Sequence, residues 1–171
     1  QRLSFHAENS FMHAMIFSHL SYCVTSWSQA ASTITKPLMM IYNRAVKILD
    51  RKPIRSHHCH VLQKLNMLSF DNFINLANLK LIHKCLHNQA PQVLSDLVVP
   101  LRASGSVTRG ASSGNCKVPL CKSSLGQTAF SVRGINMWNS LPVEIKLDPD
   151  IDHFKFKLKQ FLKRNQSCSH K

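Results

Sequence analysis

The chain has 171 residues, 44% of them hydrophobic, which is enough for one packed domain or two small ones. It contains no run of 18 apolar residues, so no membrane-spanning helix is expected. Lys and Arg number 22 against 8 Asp and Glu, a net charge of +14 that predicts attraction to polyanions. Phosphate backbones come first among these and anionic membrane surfaces second.

The charge is not confined to a tail. Residues 1–99 carry 10 Lys/Arg against 4 Asp/Glu, and residues 100–171 carry 12 against 4. The chain begins Gln1-Arg2-Leu3 without an initiator Met, and is expected to be a fragment or a processed product.

In chain order, residues 8–30 lack Gly and Pro and predict a helix, with Phe11, Met15, Leu20, Cys23 and Trp27 at near-helical spacing. A second helix is expected to start with Pro37 in its first turn. Leu38, Ile41, Tyr42, Ala45 and Leu49 fall on one face of it. Arg44, Lys47 and Arg51 fall about 180° away, and Lys52 and Arg55 continue the basic run past the helix, which Pro53 ends.

Residues 56–68 predict a short helix holding Val61, Leu62 and Leu65. Residues 70–88 predict a longer one with Phe70, Phe73, Ile74, Ala77, Leu81 and Cys85 on one face. Leu76, Leu79, Ile82 and Leu86 broaden that face until the helix reads as buried or sandwiched. Residues 92–98 add a turn. The Gly- and Ser-rich stretch RASGSVTRGASSGN predicts a mobile basic loop near 100–116, and 117–121 a short strand-like piece. In the final helix Asp148 is placed as cap and Pro149 in the first turn. Ile151, Phe154, Leu158, Phe161 and Leu162 form its apolar stripe, and Lys163 and Arg164 lie at its negative end. Together these elements predict a mainly α protein with minor β at most. Three regions follow: a helical bundle at 1–99, a basic loop at 100–128, and a helical region at 129–171.

Catalytic chemistry has little to work with. Asp148, Asp150 and Asp152 suit a helix start, and Asp50, Asp71 and Asp96 are isolated, so a two-metal centre is not expected. No Gly-x-Ser-x-Gly and no Gly-rich phosphate loop occur. Clusters such as His57-His58-Cys59-His60 and His83-x-Cys85-x-His87 lack the two ligand pairs of a zinc knuckle. Cys116, Cys121, Cys168 and His170 come nearest, and no metal or other cofactor is expected. The six scattered cysteines predict reduced thiols in an intracellular setting. The basic stripe Arg44, Lys47, Arg51, with Lys52 and Arg55, is the strongest sign of nucleic-acid contact. The basic face of the last helix discriminates less, and a membrane-surface role is the alternative for both.

The segment SVRGINMWNSLP, residues 131–142, predicts a short helix or turn around Trp138 that ends in Asn139-Ser140 and Leu141-Pro142. Trp138 is expected to be core, Pro142 ends the segment, and the segment is expected to be the packing element that docks the last helix, whose stripe includes Phe154 and Leu158. With its surroundings the segment resembles the C-terminal part of reverse transcriptases from non-LTR retrotransposons, of the jockey-like and chicken-repeat-like kind. The matching blocks are SHLSYCVTSW (18–27), IYNRAVKILD (41–50), VLQKLNMLSF (61–70), VTRG (107–110), FSVRGINMWNSLPVEIK (130–146) and HFKFKLKQFL (153–162). They are collinear over almost the whole chain, and the WNSLP block with the helix after it is the most specific.

This resemblance implies that residues 1–99 include the helical thumb of such a polymerase and that 100–171 lie beyond it. The family's paired-aspartate palm lies upstream, and no Asp-Asp dipeptide occurs here, so no catalytic activity of its own is expected. The implied partners are RNA or an RNA–DNA hybrid and the palm of the same polymerase. The implied localisation is nucleus and cytoplasm. Arg109 and Arg133 fall in matching positions of the C-terminal blocks. The rival expectations are an inert remnant, a noncatalytic protein-interaction module, and a zinc-dependent binding domain.

Overall fold

The computed structural model of the chain describes residues 4–53, 55–104 and 112–166. The fold is mainly α-helical, and the β structure among the described residues is one isolated antiparallel bridge between Pro100 and Cys116. The chain divides into two compact units, residues 1–74 with 165–171 and residues 75–164. The division falls inside the helix that spans Phe70–Leu86.

In the first unit, α1 (Phe5–Met12) runs through a π-helical turn (His13–Phe17) into α2 (Ser18–Ser21). Cys23 then takes a left-handed conformation (φ 47°) before α3 (Val24–Trp27). The expected helicity over 8–30 is thus divided among several helical pieces by the π turn and the break at Cys23. Phe17, Leu20 and Val24 are buried, whereas Phe11 and Met15 are exposed, because the π turn and the break rotate the inward face.

The long helix α4 (Ser32–Leu49) starts five residues before Pro37, which therefore lies inside it rather than in the first turn. The missing N–H of Pro37 leaves only the Thr33 carbonyl without its intrahelical partner, so the helix passes through. Tyr42, Ala45, Val46 and Leu49 are its buried face. Tyr42 is the centre of this core. Its ring lies 5.4 Å from Phe17 and 5.7 Å from both Phe70 and Phe73, and its hydroxyl donates to the Leu68 carbonyl at 2.6 Å. Burial pushes the Tyr42 phenol pKa up, so the hydroxyl stays a donor. Val61 and Leu62 of α5 (Cys59–Lys64) close the unit.

Three helix ends use one device. Arg51, Asn66 and Asn88 take φ of 54°, 55° and 54°. In each case the next residue's N–H reaches back five positions: Lys52 to Lys47, Met67 to Leu62, and Gln89 to Lys84. These are Schellman closures of α4, α5 and α6 (Phe70–Leu86). Asn tolerates the left-handed region; Arg51 carries the usual Cβ penalty there.

The second unit is organised on α6 from Asn75 onward. Leu79, Ile82, His83 and Cys85 are buried there, while Leu81, placed on the inner face by spacing, is only half-buried. After α7 (Gln92–Ser95), the Pro100–Cys116 bridge is extended by Leu101 N–H to Asn115 O (3.0 Å) and Lys117 N–H to Val99 O (2.8 Å). The strand expected at 117–121 does not form, since Pro119 removes the next donor and pairing stops at Lys117. Then come α8 (Ser124–Thr128), a π-helical turn (Phe130–Gly134), α9 (Ile135–Asn139), α10 (Val143–Lys146) and α11 (Ile151–Arg164). Gly134 sits at a close approach, since a Cβ there would lie 3.1 Å from Ile82 Cδ1 and 3.3 Å from the Phe130 ring, and those side chains would have to give by a few tenths of an ångström.

The cap of α11 is Asp150, not Asp148. Asp150 accepts from the His153 N–H at 3.1 Å and the Asp152 N–H at 3.4 Å. Asp148 is buried two residues earlier, where Lys157 (2.9 Å) and His153 (2.8 Å) converge on it and hold its carboxyl below the usual range. On α11, Phe154, Leu158 and Leu162 are buried and Ile151 and Phe161 are half-buried.

Candidate functional site

The α4 surface opposite the Tyr42 core is not simply a basic stripe. It is an open groove of about 540 Å³ lined by Pro37, Met40, Ile41, Asn43, Arg44, Lys47 and His58. Met40 is 62% exposed and Ile41 48%, so the expectation that Ile41 packs inward is corrected. The buried arc is centred near Tyr42, Ala45 and Leu49. At about 100° per residue, Ile41 lies at its edge, within reach of the arc that holds Arg44. The result is an apolar floor with cations on the rim.

Arg44 is exposed and Lys47 is half-buried against the groove. His58, contributed by the residue just before α5, has its pKa lowered first by burial, then by His57 and by Lys47. Burial above all, with the neighbouring charges of His57 and Lys47 adding to it, therefore favours the neutral imidazole. The His57 and His58 rings stack, with centroids 4.9 Å apart.

The other expected cations distribute differently. Arg51 leaves the stripe to form an ion pair with Glu8 at 2.9 Å. Lys52 and Arg55 are exposed after the helix end. Lys64 pairs with Asp50. Arg133 is exposed on the π-helical turn of the second unit. Arg109, Cys168 and His170 lie outside the described residues.

No group of three or more His, Cys, Asp or Glu side chains that could hold a metal occurs among the described residues. Cys116 is buried and its thiol pKa is raised to about 11 by burial, which disfavours the thiolate that zinc needs. Cys121 is half-buried, its Sγ 3.6 Å from the Ser123 carbonyl. Cys59 is disulfide-bonded, which corrects the expectation of reduced thiols at that position and takes its sulfur out of the His57–His60 cluster. Spacing along the chain could not show which sulfurs the fold would bring within bonding reach. Cys23, Cys85, Cys116 and Cys121 are free thiols.

In the second unit Trp138 is 1% exposed, and its ring centroid lies 5.7 Å from that of Phe154. Its indole N–H donates to the Gly114 carbonyl at 2.9 Å. Pro142 is exposed and forms the turn into α10. Two residues of this cluster escaped the sequence reading. Asn139 holds the Cys116 backbone, and buried Lys146 donates to Asn115 Oδ1 (2.7 Å) and to the Asn139 carbonyl (3.0 Å). Nothing local in the sequence marked either one.

No helix among the described residues is long and apolar enough to cross a membrane. No protein-family model, no curated protein and no solved structure matches the chain.

Proposed function

We propose that the chain is a noncatalytic part of a LINE-type reverse transcriptase, its thumb and the region beyond, which holds RNA or an RNA–DNA hybrid without sequence preference. The observation that carries this reading is the groove on α4, where Arg44 and Lys47 stand on the rim of an apolar floor. Those two residues lie in the block IYNRAVKILD, one of the six that carry the resemblance. A copying enzyme must accept any sequence, so its grip rests on phosphates rather than base edges. The +14 charge supplies the long-range attraction. The palm of the same polymerase is the expected protein partner, and the nucleus and cytoplasm the expected places of action.

A gel shift with salt titration tests the proposal. Log K should fall linearly with log salt. Replacing Arg44 and Lys47 together by Gln should reduce the slope by up to about 0.9 per lost contact on a duplex, with no change of fold. A salt-independent affinity, or no binding at low salt, would reject it. A protein-interaction module is the second reading, favoured by the exposure of Met40 and Ile41. In that case Met40→Asp abolishes association with the palm and leaves the salt slope for nucleic acid untouched.

A further inference from the structure

The basic residues of α11 have a tertiary setting that their order in the chain does not disclose. Phe154, Leu158 and Leu162 are buried within the second unit, so the apolar face of α11 is already covered. An amphipathic helix lies in a bilayer interface by burying that same face, and here it is not free to do so. The outward face is therefore left to solvent.

Its lysines are not equivalent. Lys157 is held by Asp148 at 2.9 Å. Lys155 and Lys159, one turn apart and exposed, have no ion pair among the described residues. On α6 the His83 ring stacks on Phe154 with centroids 4.3 Å apart, which brings the two helices together at that point. Lys80 lies one turn before His83, and Lys84 immediately after it. The Lys80 ammonium pKa is lowered by burial first, then by the charges of Lys155 and Lys84, with Asp152 offsetting part of this. Lysines from two helices thus converge on one surface with little acid to balance them.

Phe156 lies on the same outward face, one turn from Lys159, and is 62% exposed. An exposed aromatic ring beside a track of cations is the arrangement by which single strands are bound, bases on the ring and phosphates on the track. Bases stacked inside a duplex do not reach such a ring.

We propose that the outward face of α11, with Lys80 and Lys84 of α6, is a second binding site that takes single-stranded nucleic acid. An unpaired base stacks on Phe156, and Lys155, Lys159, Lys80 and Lys84 hold the phosphates. The proposal shares its ligand class with the reading of α4 and uses none of its residues.

The test uses the full chain, a short fluorescent oligouridylate, and the same strand annealed to its complement, read by anisotropy over a salt series. Phe156→Ala should weaken single-strand binding about tenfold with the salt slope unchanged and the duplex little affected. Phe156→Trp should restore it. Lys155→Gln with Lys159→Gln should lower the single-strand slope by about 0.7 per lost contact. The site is refuted if Phe156→Ala binds the oligouridylate as wild type does, or weakens strand and duplex equally. Loss of binding to phosphatidylserine vesicles in Phe156→Ala, with the oligouridylate unaffected, would assign the face to lipid instead.

The two sites separate cleanly. If the α11 variants act while Arg44→Gln with Lys47→Gln does nothing, the α4 reading falls and this one stands. If only the α4 pair acts, this one falls. Absence of any binding by the wild-type chain at low salt removes both.

Discussion

Asn139 pairs with both backbone polar groups of Cys116. The Cys116 N–H donates to Asn139 Oδ1 at 2.8 Å, and Asn139 Nδ2 donates to the Cys116 carbonyl at 2.9 Å. The side-chain amide thus stands in for a neighbouring strand on one side, while Pro100 pairs on the other. Next to it, Trp138 holds the Gly114 carbonyl, and Lys146 ties Asn115 to the end of α9. Gly114 turns through φ 70° to allow this, a value that a side chain would strain. The Trp-Asn dipeptide is therefore a clasp on the segment 114–116.

Breaking the amide half of this clasp should be costly. Asn139→Ala leaves two backbone groups of a buried residue without partners, at roughly 1–3 kcal/mol each. Asn139→Asp keeps the acceptor but puts a carboxylate against the Cys116 carbonyl. Both should lower the urea midpoint. An Asp variant as stable as wild type would show that the Nδ2 bond contributes nothing.

The indole half separates packing from hydrogen bonding. Trp138→Ala should cost about 3–5 kcal/mol. Trp138→Phe keeps a ring against Phe154, loses the bond to Gly114 at about 1–3 kcal/mol for the orphaned carbonyl, and leaves a small void where the larger indole sat. Equal losses in thermal unfolding would mean that the bond, not the ring, is what matters.

His83 should make stability depend on pH. It is fully buried, and its Nε2 lies 2.8 Å from the Asp148 carbonyl, so Nε2–H donates. Nδ1 meets no partner among the described residues. Burial lowers the His83 pKa first. The bond to Asp148 and the carboxylates of Asp148 and Asp150 oppose this, and His87 adds to it. With the folded pKa below the unfolded 6.5, the unfolded chain binds more protons as pH falls past that value. His83 is therefore neutral to stability above about pH 7 and destabilising progressively below about 6.5. The melting temperature should drop between about pH 7 and pH 5, and His83→Gln should flatten that part of the curve. Parallel wild-type and His83→Gln curves would contradict this.

Arg51 occupies a left-handed position that Gly or Asn fills more easily, a strain of order 1 kcal/mol or more. Its exposed bond to Glu8 returns about 0–1 kcal/mol. Arg51→Asn should therefore raise the melting temperature slightly, by about 2–4 °C at most. A clear fall would mean that the Glu8 pair outweighs the strain.

Much of the helical content was legible because it rests on local rules. The 3.6-residue spacing of Phe154, Leu158 and Leu162 marks the face of α11 that is buried, and Pro and Gly punctuation separates the helices. Where local signals compete, the reading slipped by a residue or a face. Asp148 and Asp150 both suit a cap by type, and only the arrival of Lys157 and His153 at Asp148 decides between them. Ile41 belongs by spacing to the inner stripe, yet the core centred on Tyr42 leaves it at the rim.

The sequence by itself determined the helical class, the cationic excess and the buried stripe of α11, because periodicity and charge are properties of neighbours along the chain. The tertiary structure decided which cations are spent and which remain. Glu8 meets Arg51 across 43 residues, Asp148 takes Lys157, and Lys80 faces Lys155 across 75. Such pairings fall off over a few ångströms, so they exist only once packing has set the distances. The same holds for the clasp at Asn139, whose partner lies 23 residues away and carries no mark in the sequence.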